Sequence, residues 1–98
     1  MIDNASHIGA FLLAGLSELQ LRQPLIREVR GRGLMIGIDF ESGERADAVE
    51  MACLRRGLLV LRAGDQAIRL APPLVLREDQ AATGLGIFDE ACAEVAAG

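Results

Sequence analysis

The sequence predicts an α+β domain: a small, mostly antiparallel sheet with helices packed on one face. Three observations carry this. Apolar positions switch between helical and strand spacing in the order helix, two strands, helix, two strands, helix. Glycine or proline stands at most of the switches, as in Gln23-Pro24, Arg56-Gly57 and Ala63-Gly64. The chain has 98 residues, which bounds it to one domain over 1–98, and 51% of them are hydrophobic. Only three aromatics, all Phe, are present, so the core must be built from Leu, Ile, Val, Ala and Met.

The first helix is expected over 4–23. Ile8, Phe11, Leu12, Leu16 and Leu19 recur at helical spacing, Asp3, Asn4 or Ser6 can cap the start, and Pro24 ends it by forcing Gln23 out of helical geometry. Its apolar stripe is long, and a contiguous apolar patch of this kind usually finds a partner, so a free chain is expected to self-associate through this helix. Strands follow over 25–30 and 34–40. Gly31 and Gly33 permit a bend with positive φ between them, and Leu34, Ile36, Ile38 and Phe40 line one face of the second. Ser42-Gly43 marks a turn, and a helix over 45–56 carries Ala46, Val49, Ala52 and Cys53 inward. Gly57 suits its C′ position, and Arg55 and Arg56 complement its dipole. The run Leu58 to Leu61 reads as a strand buried on both faces, over 58–62. A turn at Ala63-Gly64-Asp65-Gln66 leads to a strand over 67–71, with Ile68 and Leu70 on one face and Arg69 on the other. The last helix, over 78–96, places Ala81, Leu85, Phe88, Cys92 and Val95 on one side, with Arg77 a poor N-cap.

Charge and composition exclude several functions. The net charge is −4, which argues against nucleic acid, a partner that selects basic patches. No apolar run is long enough to span a bilayer, and the start lacks the basic and apolar regions of a signal peptide. Cys53 and Cys92 lack Cys-x-x-Cys spacing and read as reduced core thiols. The expected compartment is the cytoplasm. His7 is the single His, with no partner spacing for a metal site or a catalytic triad. Glu41, Glu44 and Asp47 are explained by helix capping, and Glu90 and Glu94 by a solvated helix face.

Arg69 is the candidate site residue. It stands in the apolar run Ala67-Ile-Arg-Leu-Ala71, near the strand's end, before Pro72 and Pro73 stop the ladder. A guanidinium is costly to bury without an anion, and its planar fork matches a carboxylate two-to-two. The functional reading is a carboxylate ligand faced from a cleft; the structural one is an Arg that snorkels to solvent or pairs with a local Asp or Glu. Arg30 and Arg32, flanking the Gly31–Gly33 bend, can bind an anion but are expected simply to be solvated. Gly31-Arg-Gly33 leads into a strand, so it is not a phosphate-binding loop, which feeds a helix.

The stretch Ile68-Arg-Leu-Ala-Pro-Pro-Leu-Val75 resembles the closing motif of the class III, pyridoxal-phosphate-dependent aminotransferases, the group that includes the acetylornithine, ornithine and 4-aminobutyrate enzymes. Ile-Arg-Glu-Val-Arg-Gly-Arg-Gly-Leu-Met-Ile-Gly-Ile-Asp-Phe over 26–40 resembles the segment entering their small C-terminal domain. Asn4-Ala5 before the first helix and Arg56-Gly-Leu-Leu-Val60 fall in the family's order. Arg77 departs from it, where Ser or Thr is common. The resemblance implies the small domain of fold-type I aminotransferases, with Arg69 holding the substrate carboxylate. It implies a parent enzyme moving an amino group from an amino acid to a 2-oxo acid, with 4-aminobutyrate or another ω-amino acid favoured over acetylornithine from residues 53–76. It also implies two partners, the large cofactor domain of the same enzyme and a second copy in a homodimer. All ten basic residues are Arg. Without a Lys the chain lacks the amine this cofactor needs, so alone it is expected to bind no pyridoxal phosphate and to be inactive. The alternative is a free-standing module without enzymatic activity, binding a carboxylate effector or another protein.

Overall fold

The computed structural model describes residues 2–32, 35–71 and 76–98. Three helices, α1 (Ile2–Arg22), α2 (Gly43–Arg55) and α3 (Glu78–Ala97), accompany four strands, β1 (Ile26–Arg32), β2 (Met35–Phe40), β3 (Leu61–Ala63) and β4 (Ala67–Leu70). The strands form one sheet in the order β1-β2-β4-β3, and every neighbouring pair is antiparallel. Helix α1 lies mainly on β1, α2 crosses β2, β4 and β3, and α3 packs across both helices. The α+β class and the one-sided helix layer are as expected from the sequence.

The core lies between the sheet and the helices. Ile36, Ile38 and Phe40 from β2 and Ile68 from β4 are fully buried, as strand alternation predicts. Ala46, Val49, Ala52 and Cys53 from α2 meet Ala81, Phe88, Ala91, Cys92 and Val95 from α3. The Phe40 and Phe88 rings sit 6.3 Å apart and tilted, joining the sheet to the outer helix.

Several expectations are corrected. Helix α1 begins at Ile2, upstream of Asp3, Asn4 and Ser6, so none of these is its N-cap. Ser42 is not part of a free turn: it is the N-cap of α2, and its Oγ accepts from the Arg45 N–H at 3.1 Å. Gly43 opens that helix beneath the β3–β4 turn, where a Cβ would lie 2.7 Å from the Asp65 carbonyl oxygen. Only a residue without a side chain lets these two backbones meet. Gly31 belongs to β1 and has no positive φ, so the bend expected there is not at Gly31; Gly33, Leu34 and the Pro72-Pro73 stop lie outside the described residues.

The strand expected over 58–62 is the largest correction. Residues 58–60 are not in the sheet; the strand is Leu61–Ala63, and it lies at the sheet edge. Leu59 is 78% exposed and Leu61 54%, whereas Val60 is buried. The start of the run is taken up by the end of α2. Gly57, at φ +82°, donates to Leu54 O, and the Leu58 N–H reaches back to Cys53 O at 2.9 Å, a Schellman closure. A short apolar run cannot by itself tell an interior strand from a helix exit and an edge.

Arg62 fixes that edge. Its Nε donates to Asp47 on α2 at 2.6 Å, and its terminal nitrogens donate to Ala67 O at 2.9 Å and Asp65 O at 3.1 Å. Asp47, Glu90 and Glu94 thus do more than cap or solvate: Glu94 receives both Arg55 and Arg56, with Glu90 3.7 Å from Arg56, and so ties the end of α2 to α3. The Arg56 guanidinium holds the Glu94 carboxyl below its usual range, mainly by direct hydrogen bonding, with Arg55 adding to it. Arg77 supplies no side-chain cap to α3, as expected of this residue. Its own N–H is accepted by Gln80 Oε1 at 2.9 Å instead, half of a capping box.

The stripe on α1 does not bridge outward. Ile8, Leu12, Leu16 and Leu19 are buried within this domain, against β1 and α3. Leu12→Glu should therefore unfold the chain rather than dissolve a dimer, because it places a carboxylate in the core at a cost of about 3–5 kcal/mol. A thermal melt followed by circular dichroism, run beside sedimentation equilibrium, checks this. A mutant that keeps its cooperative melt and merely halves its mass would restore α1 as an outer surface.

Candidate functional site

The face of the sheet away from the helices carries the chemistry. The register places Arg30 opposite Gly37, Gly37 opposite Arg69, and Arg69 opposite Leu61, so one row of side chains crosses all four strands. The next row is Asp39, Ala67 and Ala63. Ile68 and Leu70 turn to the helices, which sends Arg69 to the free face. Its side chain is exposed rather than buried, so the strand holds the cation at no desolvation cost.

Gly37 is what makes the row a depression. With no side chain between two arginines, it leaves an open hollow of about 360 Å3 lined by Arg30, Met35, Gly37, Ala67 and Arg69 among others. The Arg30 guanidinium lies beside that gap, 3.5 Å from where a Gly37 Cβ would stand. The two arginines are two strands apart, about 10 Å between their backbones.

They are not equivalent. Arg30, expected to be merely solvated, donates to Asp39 at 2.8 Å and to Glu28 at 3.3 Å. The hydrogen bond and charge of Asp39 are the main causes that raise the Arg30 pKa above its ordinary value. Arg69 has no hydrogen bond or ion pair among the described residues, although Arg22, Arg45, Arg55, Arg56, Arg62 and Arg77 all hold carboxylates. Arg27 is likewise without an ion pair but does not line the hollow. Arg69 is thus the uncompensated cation at the edge of a concave surface, able to take a carboxylate through its fork. The neighbouring Gly37 and Asp39 were not singled out from the sequence, and Arg30 was weighed there only as a solvated anion binder beside the Gly31–Gly33 bend. The signal for them is the strand register, which a linear reading does not contain. The side chain of Arg32 and residue Gly33 lie outside the described residues.

The other candidates have structural partners. His7 Nε2 lies 2.6 Å from Glu78 Oε2, linking α1 to the start of α3. Among the described residues, no group of three or more His, Cys, Asp or Glu could hold a metal. Cys53 and Cys92 are free and fully buried. Burial pushes the Cys53 thiol up to about 11 and Cys92 to about 12, the latter helped by the charge of Cys53 and Asp89.

The comparisons with known proteins agree with this architecture. The family model described as "Aminotransferase class-III" matches residues 1–92, and the chain belongs to that family. The acetylornithine aminotransferase of Gloeobacter violaceus is 40% identical over 91% of this chain and 22% of its own length. The human mitochondrial 4-aminobutyrate aminotransferase is 35% identical over 96% of this chain and 19% of its own. Among solved structures, a lysine aminotransferase from M. tuberculosis superposes with a TM-score of 0.90 at 28% identity, covering 94% of this chain and 21% of that one. The N-acetylornithine aminotransferase of Stenotrophomonas maltophilia gives 0.90 at 32%, covering 97% and 27%. The chain therefore spans less than a third of the length of each of these relatives. The family is one of pyridoxal-phosphate-dependent transferases. The residues present do not fit attachment of that cofactor: the sequence has no Lys, and the free-face cations are guanidiniums.

The buried thiols give a pH signature with a definite sign. Both titrate near 9.0 when exposed and well above it in the fold, so the folded state keeps protons that the unfolded state releases. Their contribution is complete below pH 9 and is lost as pH rises, toward 11 for Cys53 and 12 for Cys92. The slope is at most about 1.4 kcal/mol per pH unit for each thiol. Urea unfolding between neutral and alkaline pH should show the decline, and Cys53→Ala/Cys92→Ala should flatten it. An unchanged slope in the double variant would mean that other groups set the alkaline limit.

Proposed function

We propose that these residues are the small C-terminal domain of a pyridoxal-phosphate-dependent aminotransferase, in which Arg69 holds the substrate carboxylate. The observation that carries this is the unpaired guanidinium of Arg69 beside an open hollow, in a sheet whose other arginine at that hollow is neutralised by Asp39. The reaction would transfer an amino group from an amino acid to a 2-oxo acid in the cytoplasm. The cofactor and its Lys would come from the large domain, so the chain alone is inactive in this reading. Here Arg69 binds and orients: two parallel charge-assisted bonds fix the carboxylate and so the distance of the reacting carbon from the cofactor.

The free face is suited to being covered by that large domain. Met35 and Leu61 stand half-exposed around Arg69, with Leu59 more exposed at the edge. An apolar border of this kind excludes water from an ion pair at its centre and strengthens it. In the parent the two domains would act within a homodimer. The ω-amino preference drawn from residues 53–76 rests on those residues alone, since acetylornithine and 4-aminobutyrate enzymes both match across nearly the whole chain.

Arg69→Lys, placed in the chain that joins this domain to its cofactor domain, tests the reading. Lys keeps the charge and loses the fork. Losing one charge-assisted bond of about 1.5–3 kcal/mol should lower kcat/KM for a carboxylate substrate by roughly one to two decades, with cofactor absorbance unchanged. Wild-type kinetics in the mutant would make Arg69 structural. Intact mass of the protein from its source shows whether the cofactor domain is joined to these residues.

A further inference from the structure

Arg69 stands open in a sheet where a carboxylate lies within reach. Asp39 is paired in register with Ala67, two residues before Arg69 on the same strand and face. That makes Asp39 a diagonal neighbour of Arg69, about 7–8 Å away between backbones, a span that a long side chain covers. Asp39 and Arg69 also line one open hollow, together with Arg30 and Asp65. Gly37 offers no side chain to separate them. By geometry alone Asp39 and Arg69 would form a cross-strand ion pair. They do not: Asp39 is held by Arg30 from the opposite side, at 2.8 Å, and Arg30 is itself steadied by Glu28 at 3.3 Å.

We propose that Arg30 is a positioning residue for Arg69: by holding Asp39, it keeps the nearest carboxylate off Arg69 and leaves that fork open to an external one. The proposal deepens the carboxylate-seat reading and rests on it for the identity of the ligand. Its structural core, competition between two arginines for one aspartate, does not. Glu28 is not the competitor, since it lies opposite Asp39 on β1, a strand further from Arg69. Asp65 sits on the β3–β4 turn, four residues before Arg69 and twice as far along the chain as Ala67, the residue opposite Asp39. If Arg30 is removed, Asp39 is released and captures Arg69, and the seat is closed by an internal pair. The arrangement gives Gly37 a role as well, because a side chain there would fill the hollow that both guanidiniums border.

The side-chain Nε–Hε signals of the 15N-labelled full chain read this directly, with propionate as the probe carboxylate. In wild type the Arg69 signal should respond to propionate. In Arg30→Gln it should move without any ligand, exchange more slowly with water and lose its response. In Arg30→Gln/Asp39→Asn both changes should revert, and Arg30→Lys, which keeps a cation for Asp39, should resemble wild type. Asp39→Asn alone should leave Arg69 as in wild type; this variant, with Arg30→Lys, keeps the idea testable if Arg30→Gln loses its fold. An Arg69 signal unmoved in Arg30→Gln overturns the proposal. So does a movement that Asp39→Asn fails to reverse, or an Arg69 signal that Asp39→Asn alone displaces. A wild-type Arg69 that ignores propionate, while Arg30→Gln still shifts it in an Asp39-dependent way, would sink the carboxylate seat and leave the competition between the arginines standing.

Discussion

The pairing of β2 with β4 is the constraint on which the rest of the molecule depends. It joins residues about thirty positions apart, setting Ile38 against Ile68 on the helix side and Gly37 against Arg69 on the other. A slip of one residue in either strand would send Ile68 to solvent and Arg69 into the core, an exchange that desolvation of a guanidinium forbids. The register is therefore fixed by burial, and the open face inherits its order. Gln66 reinforces the pairing at one end: its Nε2 donates to Phe40 O at 2.7 Å, and its own carbonyl accepts from the Phe40 N–H.

Around that pairing the molecule separates its charges by task. One set joins elements across the helix layer: His7 with Glu78, Arg22 with Asp89, Arg55 and Arg56 with Glu94, and Arg62 with Asp47. These are exposed or half-exposed pairs, each worth little alone. Their value is geometric, since they set where α3 and the β3–β4 edge sit on a core made almost wholly of aliphatic side chains. The other set lies on the free face, where, of the two described arginines that line the hollow, Arg30 is compensated and Arg69 is not. The same chemistry thus serves assembly on one side and recognition on the other, and the difference is which arginine holds Asp39.

The local rules were legible wherever they acted over a few residues. Alternation in β2 and helical spacing in α2 identify Ile36, Ile38, Phe40, Ala46, Val49, Ala52 and Cys53 as core before any coordinates, and all are buried. Gly57 reads as a helix stop and takes the positive φ that the stop requires. The misreadings share one cause. Leu58 to Leu61, the stripe on α1 and the acidic side chains Asp47, Glu90 and Glu94 each have an apolar or charged pattern with more than one physical solution. Which solution is adopted depends on what packs alongside. An edge position exposes Leu59 and Leu61, whereas the presence of α3 buries α1.

By itself the sequence determined the element types and inward faces outside the Leu58–Leu61 run, the lack of Lys and the position of Arg69 opposite the apolar side of its strand. Those follow from backbone periodicity and side-chain chemistry, which are properties of short segments. Only the tertiary structure decided that Gly37 opens a hollow beside Arg69, that Asp39 belongs to Arg30, and that α1 closes the core instead of reaching outward. Each of these is a matter of strand order and register, and neighbours across a sheet are set by the burial of the whole core rather than by any run of residues within it.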